Sequence, residues 1–542
     1  MSTAASPASE LRSGPSRDAV SLWGHPISLF GLALVVLGAA LMITFLIFQI
    51  FTHQSNPYLD IIGFMILPGV FLGGLAITPI GLWLKYRRIR RDQKSATFRL
   101  PELDLNDPHM RRRVVGFAGV SFFVVFPLLA ISGYEGYHYT ESTEFCARAC
   151  HSVMEPQGAA HSTSSHARVT CAECHIGEGA DWFVKSKISG VRQVFAVWLN
   201  TYSRPIPPAI HHLRPARDTC EQCHWPTKFY GSQYREYVHY SPDEENTRRV
   251  VKMLMHIGGA DESIGRVEGI HMHMLNSGKI EYIATDDHLQ QIPWVKYTKP
   301  DGSEVVYRSD GGTHDGPPPP GVQRAIDCMD CHNRGAHHFR SPQKAVDLFM
   351  EVKRIAPELP FIKREAVAAL TVEYPDRETA QKTIRERLTR FYSEQYPTLW
   401  SGRREWVERS IEGVLEAYRQ NFFPEMKVDW QVYVENVGHL ESAGCFRCHD
   451  GKHVNAKGET ISRDCTVCHA VMQPVEGGPD GAVAPGEFVH SMMLIKHDTL
   501  RCDQCHTGGP LPLCRECHAS GEWLEKSENP HLIPATSPSG AR

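Results

Sequence analysis

Seven copies of the pattern C-x-x-C-H constrain this 542-residue chain more than any other feature. At such a pattern two thiols bind one haem covalently and the histidine binds its iron. Zinc sites do not require the final histidine, and a redox C-x-x-C occurs once in a chain rather than seven times. We therefore predict covalent haem c at all seven motifs, which are Cys171/Cys174/His175, Cys220/Cys223/His224, Cys328/Cys331/His332, Cys445/Cys448/His449, Cys465/Cys468/His469, Cys502/Cys505/His506 and Cys514/Cys517/His518.

The two cysteines outside these motifs are Cys146 and Cys150, and His151 follows them directly. Their spacer is one residue longer, but two thiols at this spacing still reach the edge of one porphyrin. We predict an eighth haem here. A structural disulfide is the alternative, because oxidising compartments permit one. The eight are numbered in chain order: site 1 is Cys146/Cys150/His151, and sites 2 to 8 are the motifs given above.

Three apolar segments precede site 1, although the whole chain is only 42% hydrophobic. They are Pro26–Phe51, Ile61–Leu84 and Val114–Ile131, and each is long enough, or nearly so, to cross a bilayer as a helix. The first is too long for the core of a signal peptide and has no evident cleavage site. The sequence therefore predicts a membrane domain at residues 26–138, after an N-terminal tail at residues 1–25.

The distribution of basic residues predicts the orientation of these helices. The loop Lys85–Arg113 carries ten Lys and Arg residues, whereas Thr52–Tyr58 carries none. Basic loops stay in the cytoplasm, so the third helix delivers the rest of the chain to the opposite side. Haem c is also attached on that oxidising side. We expect a bacterial inner-membrane protein with a cytoplasmic N-terminus and periplasmic haem domains.

The periplasmic region divides by haem content and by periodicity. Residues 280–308 read as two alternating strands around a Lys-Pro-Asp-Gly turn. Four haems within residues 433–542 leave little room for an aliphatic core, so the porphyrins themselves must fill it. The predicted fold is a multihaem cytochrome c, with transmembrane α-helices and a mainly α and irregular haem-packed domain with a small β insertion. Its parts are a tetrahaem domain at 139–340 with a haem-free insertion at 225–327, a helical spacer at 341–432, and a C-terminal tetrahaem domain at 433–542.

The surplus of histidines predicts a second axial ligand for most of the haems. There are 29 histidines, and an electron-transfer haem takes two strong ligands whereas a catalytic haem leaves one position open. His166 and His497 each lie five residues before a motif. GIHMHM offers one of His271 and His273 as a ligand, with His273 in the expected set. The other expected ligands are His337, with His338 as its alternative, His439, His453, His490 and His161, followed by the weaker His239, His288, His314 and His531.

Four stretches carry a family resemblance: TEFCARACHSVMEPQGAAHSTSSHARVTCAECH, DWFVKSKISGVRQVF, TCEQCH and CMDCHNRGAHHF. They resemble the NapC/NirT family of membrane-anchored tetrahaem quinol dehydrogenases. The shared features are the order of the haem motifs, the Ser-His before site 2, the lysine-bearing segment after it and the His-x4-His at site 4. The resemblance covers residues 130–338 and is interrupted by the insertion. Three membrane helices and a second haem cluster depart from the family pattern.

The resemblance implies that site 1 lies against the membrane beside a quinol site. It makes Met154 the axial ligand at site 1, with His151 as the alternative because both spacings are one residue longer than in the family. It also places Lys185 or Lys187 near the quinol, unless these are solvated lysines on a helix surface. Asp181 and Gln193 are weaker candidates for the quinol site.

The function expected from these observations is oxidation of menaquinol or a similar quinol by an octahaem cytochrome in anaerobic respiration. Electrons pass along eight covalent haems to a periplasmic redox protein or reductase, and no nucleic-acid partner is expected. One alternative is a terminal reductase with an open iron at site 8, whose second ligand is the hardest to identify. Two further alternatives are an electron conduit fed by another membrane subunit and electron flow in the reverse direction.

Overall fold

The computed structural model describes residues 25–52, 59, 62–91, 106–149, 151–177, 179–208, 215–225, 228–261, 266–274, 279–474 and 483–485. The chain forms two compact units, Met1–Ala149 and Cys150–Arg542. The side chains of His151 and Asp181 are not described. Several residues with predicted roles lie outside the described ranges, so those roles stay predictions: Cys150, His490, His497, Cys502, Cys505, His506, Cys514, Cys517, His518 and His531.

The first unit contains three helices that are long and apolar enough to cross a membrane, as the sequence predicts. The third is a continuous run from Pro108 to Glu141 and is longer than the expected apolar segment, because its polar ends continue the helix. The helical segments are Pro26–Thr52, the π turn Ile62–Ile66, Leu67–Arg91, Pro108–Val120, the π turn Ser121–Val125, Phe126–Glu141 and the π turn Phe145–Ala149.

Small residues bring the first two of these helices close together. A Cβ added at Gly74 would lie 2.7 Å from the carbonyl oxygen of Gly31, and one added at Gly81 would lie 2.5 Å from the backbone nitrogen of Ser28. Association of helices in lipid depends on such close packing, because the hydrophobic effect does not drive helices together there. The first two helices therefore form an antiparallel pair through these glycines.

The helical spacer of the second unit holds the largest hydrophobic core. Two of its helices begin at side-chain N-caps: Ser341 accepts from the Lys344 amide, and Asp376 accepts from the Thr379 amide. Residues such as Ile384, Leu388 and Ile411 are fully buried in one cluster. The helices of the spacer are Pro342–Glu351, Ile362–Leu370, Arg377–Gln395, Pro397–Gly402, Arg404–Asn421 and the 3-10 turn Pro424–Met426.

The insertion is a β structure, as predicted. The strands are β1 Gln233–Tyr240, β2 Arg248–Met255, β3 Gly259–Asp261, β4 Arg266–Glu268, β5 Lys279–Ala284, β6 Trp294–Thr298, β7 Glu304–Arg308, β8 Val322–Ala325, β9 His469–Pro474 and β10 Val483–Pro485. One antiparallel sheet has the order β1-β2-β9-β10, in which β9 and β10 come from the C-terminal segment, a second has the order β7-β6-β5-β8, and β3 pairs with β4. The Lys-Pro-Asp-Gly turn joins β6 to β7, and Gly302 takes the positive φ of 82° that this turn requires.

The region that carries the haem motifs is built from short helices and loops. Its buried apolar residues form a small cluster around Phe339, Phe423 and Tyr433, to which the longer helices pack. The helical segments are His151–Ser162, Cys171–His175, Ala180–Trp198, Ala216–Cys220, the 3-10 turn Ile270–Met274, Cys328–Cys331, and the 3-10 turns Gly444–Arg447 and Cys465–Val467.

Candidate functional site

Five described motifs share the same local geometry, in which the cysteines lie on one helical turn. At site 2 Thr170 and Glu173 form a capping box around the turn Cys171–His175. At site 4 Asp327 and Asp330 do the same for Cys328–Cys331. One turn places residues i and i+3 on the same face, and the histidine follows at the end of that turn. Each turn therefore presents two thiols and one imidazole to the same side.

The structure shows no disulfide among the cysteines that it describes. This holds for the eleven cysteines in the described ranges, which are Cys146, Cys171, Cys174, Cys220, Cys223, Cys328, Cys331, Cys445, Cys448, Cys465 and Cys468. The partner of Cys146 in site 1, Cys150, lies outside those ranges, so the choice there between haem and a disulfide stays a prediction.

Histidines outside the motifs lie opposite the motif histidines at one recurring distance. Two imidazoles that bind one metal from opposite sides have ring centroids about 6 Å apart, because each metal–nitrogen bond is about 2 Å long and each nitrogen lies about 1 Å from its ring centre. The observed centroid distances are 6.2 Å for His175 and His337, 6.0 Å for His224 and His166, 6.4 Å for His332 and His271, 5.9 Å for His449 and His273, and 6.3 Å for His469 and His439. Sites 2 to 6 therefore fit a metal with two axial imidazoles.

Four of these histidines outside the motifs make hydrogen bonds that fix which ring nitrogen carries the proton. In each, Nδ1 donates to a backbone carbonyl, since a carbonyl oxygen only accepts. The acceptors are Gly335 for His166 at 3.0 Å, Gln157 for His337 at 3.2 Å, Ile257 for His271 at 2.9 Å and Ile270 for His273 at 2.6 Å. The Nε2 lone pair of each ring is therefore available to bind a metal, and the carbonyl holds the ring in orientation.

Burial lowers the pKa of several imidazoles at sites 2, 4, 5 and 6. It lowers the pKa of His337 to about 4 and is also the main cause of the lowered pKa of His271. Among the motif histidines, burial lowers the pKa of His175, His332, His449 and His469. A metal ligand must be unprotonated, so the environment of sites 2, 4, 5 and 6 favours the metal-binding form.

His453, a predicted ligand, makes contacts through both of its ring nitrogens. Its Nε2 donates to the carbonyl of Ile292 at 2.6 Å, and its Nδ1 lies 2.8 Å from the carboxylate of Asp450. The ring is buried; its Nε2 joins the loop after site 5 to the β insertion, and its Nδ1 contacts Asp450 within the same loop. In the structure both nitrogens of His453 are in hydrogen-bond contact, whereas the ring of His273 lies beside His449 of site 5, and the ligand role of His453 stays a prediction.

Two further candidates are also placed away from a ligand role. His161 donates Nε2 to the carbonyl of Val169 at 2.9 Å, so the nitrogen that a haem iron would bind is in use. His338, the alternative to His337, pairs with Glu435 at 2.9 Å. The sequence expected one ligand from His271 and His273, whereas the structure brings both beside motif histidines. The His-x-His spacing is the sequence signal from which the placement of both histidines beside motif histidines could have been predicted.

From site 2 to site 6, the thiols of each site lie close in space to those of the next site along the chain. Cys223 of site 3 is among the charges that, after burial, raise the pKa of Cys174 in site 2. The thiols of Cys220 in site 3 and Cys328 in site 4 are hydrogen-bonded, which raises the pKa of Cys220. Burial and then Cys445 of site 5 raise the pKa of Cys331 in site 4 to about 11 and that of Cys468 in site 6 to about 11. The five sites therefore form a continuous series.

The helix Ala180–Trp198 carries the lysines expected at the quinol site. Lys185 lies over the ring of Trp182 at 5.0 Å, and Lys187 lies over the ring of Phe183 at 4.8 Å. Gln193 is exposed and donates to Ser189. An apolar stripe of the same helix is exposed, and it consists of Val184, Ile188, Val191, Phe195 and Trp198.

The opposite side of this helix holds it to the rest of the unit. Val197 packs against the cluster that contains Phe339 and Tyr433. At about 100° per residue, Lys185 and Lys187 lie on either side of the exposed stripe. An apolar face bordered by lysines is typical of a helix that lies in a membrane interface.

Met154 is partly buried and packs against the same cluster, which includes Val153 and Ala160. This position fits the side chain into an apolar environment. Its predicted role as the axial ligand of site 1 stays a prediction, as does the alternative role of His151.

The comparisons with known proteins cover both ends of the haem-bearing region. Residues 109–206 match the N-terminal region of the NapC/NirT cytochrome c family, and residues 438–519 match cytochrome c3. The cytochrome c-type protein ImcH of Geobacter sulfurreducens is 40% identical over 498 residues, which are 90% of this chain and 95% of ImcH. The cytochrome c nitrite reductase subunit NrfH of Nitratidesulfovibrio vulgaris is 31% identical over 93 residues, which are 16% of this chain and 55% of NrfH. No solved structure matches the chain.

Proposed function

This chain belongs to the NapC/NirT family of membrane-anchored multihaem c-type cytochromes, and we propose that it oxidises menaquinol at the membrane surface. The electrons pass along eight covalent haem c sites to a redox protein or reductase in the periplasm. The relative NrfH is named as a subunit of a cytochrome c nitrite reductase, which supports a redox-protein partner for this chain. The setting is the inner membrane of a bacterium, with the N-terminus in the cytoplasm.

The single observation that carries the quinol proposal is the helix Ala180–Trp198. Its apolar stripe includes Ile188, which is 69% exposed, and Trp198, which is 77% exposed. Such a stripe is costly to leave in water, since each fully exposed large side chain forgoes about 2 kcal/mol of burial. A bilayer surface covers the stripe and places Lys185 and Lys187 at the depth of a quinol head group.

Quinol oxidation releases two electrons and two protons and leaves a quinone. When bound, haem c supplies the one-electron redox chemistry. The residues of this chain bind and orient the quinol. The ammonium of Lys185 or Lys187 donates a hydrogen bond to a quinol oxygen and stabilises the negative charge that develops as the proton leaves. Asp181, in the first turn of the same helix, is the proposed acceptor of each of the two protons in turn, and it releases each one to water.

Site 1 is the proposed entry point for electrons. Its cysteines are Cys146 and Cys150, and we propose Met154 as an axial ligand there. A thioether ligand raises the reduction potential of a haem relative to a second imidazole. Holding a haem through Met154 would therefore favour electron entry at this site over the sites where two histidines would hold the haem.

The test is anaerobic stopped-flow absorbance with a water-soluble menaquinol analogue. The double variant Lys185→Ala and Lys187→Ala should reduce its haem bands roughly a hundredfold more slowly than the wild type, because it lacks the proposed hydrogen-bond donors. Dithionite should reduce both proteins fully.

The matched control removes two exposed lysines of the helical spacer, Lys353→Ala and Lys382→Ala. This control should keep the wild-type rate with the quinol. Equal rates in all three proteins would place quinol oxidation elsewhere and overturn the proposed site.

A further inference from the structure

We propose that the 3-10 turn Ile270–Met274 of the insertion supplies axial ligands to two different haems. His271 binds the iron at site 4, and His273 binds the iron at site 5. The turn thereby joins the N-terminal haem sites to the C-terminal ones. This inference rests on haem occupancy of sites 4 and 5, and it does not depend on quinol oxidation.

The ring positions carry the first step. The centroid of His271 lies 6.4 Å from that of His332, with 8° between the ring planes. The centroid of His273 lies 5.9 Å from that of His449, with 85° between the planes. Both distances match two imidazoles on opposite sides of one iron, at about 6 Å.

The side chains of His271 and His273 point in different directions. A 3-10 helix has three residues per turn, so each residue is rotated by about 120° from the one before it. Residues two apart therefore point in different directions rather than to a common point. This spacing is unsuited to two ligands on a single metal, and it suits ligands to two metals on either side of the turn.

The hydrogen bonds of His271 and His273 fix the tautomer of each ring. The Nδ1 atoms of His271 and His273 donate to the carbonyls of Ile257 and Ile270. Each ring therefore presents the lone pair of Nε2 outward. These carbonyls also restrict the rotation of the rings, as is usual for metal-binding histidines.

The turn is held rigidly on the insertion. The amide of Ile270 donates to His256 at 2.9 Å, and the amide of His271 donates to Ile257 at 3.0 Å. Gly269 has a φ of +85°, and a Cβ added there would lie 2.6 Å from Cα of Gly258. Only glycine fits this close approach, so the chain is shaped to set the two histidines in place.

Sites 4 and 5 are also fastened directly to each other. Arg447, inside the motif of site 5, donates to the carbonyl of Asp330, inside the motif of site 4, at 2.5 Å. Asn436 donates to the same carbonyl at 3.1 Å. A single turn that reaches both irons is therefore consistent with the spacing of the two motifs.

Electron paramagnetic resonance of the oxidised full-length protein tests the proposal without any quinol. Parallel axial imidazoles give a rhombic low-spin ferric signal, whereas perpendicular ones give a signal of much larger anisotropy. His271→Met should remove one haem equivalent of rhombic signal, and His273→Met should remove one of the highly anisotropic signal. Each variant should gain the long-wavelength absorption of a methionine-bound ferric haem, and the potential of one haem should rise.

The matched control is Gln323→Met, which changes an exposed residue of the same insertion and should leave all signals unchanged. Unchanged signals in His271→Met or His273→Met would overturn the proposal, as would loss of the same signal in both. If a methionine variant matures with less haem, His271→Gly and His273→Gly are purified with imidazole. Recovery of the missing signal by imidazole supports the assignment, and a signal that does not respond to imidazole refutes it.

Discussion

At the scale of single residues, a buried ion pair connects the insertion to the helical spacer. Lys363 donates to Asp347 at 2.5 Å and to the carbonyl of Gln343 at 2.8 Å. The same carboxylate oxygen accepts from the amide of Tyr240 at the end of β1. Burial lowers the pKa of Lys363, so the ammonium depends on these acceptors.

Lys363→Met should destabilise the protein by about 3 kcal/mol, because it leaves the carboxylate of Asp347 buried without its cation. Urea unfolding of the purified full-length protein, followed by circular dichroism, measures the change. Adding Asp347→Asn should recover part of the loss. The exposed Lys382→Ala is the control, and an equal unfolding midpoint in Lys363→Met and this control would contradict the account.

Residue types at the sites were predictable from the sequence, but their pairing was not. The C-x-x-C-H pattern identifies the motif histidines because attachment chemistry is local. The partner of each is set by contacts far along the chain, such as His337 beside His175. His453 shows the limit, since its distance from a motif resembles that of a ligand while Asp450 and Ile292 occupy its nitrogens.

At the scale of elements, the helix Ala180–Trp198 has two faces with different roles. Its inner face packs on the haem-bearing unit through Val197, and its outer face exposes Val184, Ile188 and Val191. The pattern of apolar residues every three or four positions predicts such an amphipathic helix. The account places the outer face in lipid.

A nitroxide label at Ile188→Cys should contact lipid, and so should respond more to oxygen than to a water-soluble nickel complex. A label at Ser189→Cys, one residue along on the polar face, should show the reverse preference. Power-saturation measurements in liposomes give both values. Because the account uses all sixteen native cysteines in thioether bonds, the new thiol is the one that reacts. Equal preference for the nickel complex at both positions would contradict a membrane contact.

Strand β9 was not predictable from the sequence. It begins at His469, the motif histidine of site 6, and pairs with β2 in the register His469 with Met255. The two strands are separated by two haem motifs and the whole helical spacer, so no local periodicity signals the pairing. In contrast, β6 and β7 were predictable, because alternation and a turn sequence lie within one short stretch.

At the scale of the whole molecule, the sites follow each other in space as they do in sequence. Sites 2 to 6 are consecutive neighbours, and the insertion contacts both the N-terminal and the C-terminal motifs. Hydropathy alone identified the three membrane helices, since length and apolar content decide them. We propose that these sites carry electrons from a quinol to a periplasmic acceptor.

Electron transfer across reconstituted liposomes tests that path most directly. The wild-type protein is placed in liposomes with menaquinol in the bilayer, and the membrane-impermeant oxidant ferricyanide is added outside. The account predicts ferricyanide reduction that requires both the quinol and the protein, with liposomes lacking either as controls. If dithionite-reduced protein passes electrons to ferricyanide while menaquinol produces no reduction above the controls, electrons enter from another donor and the central claim is wrong.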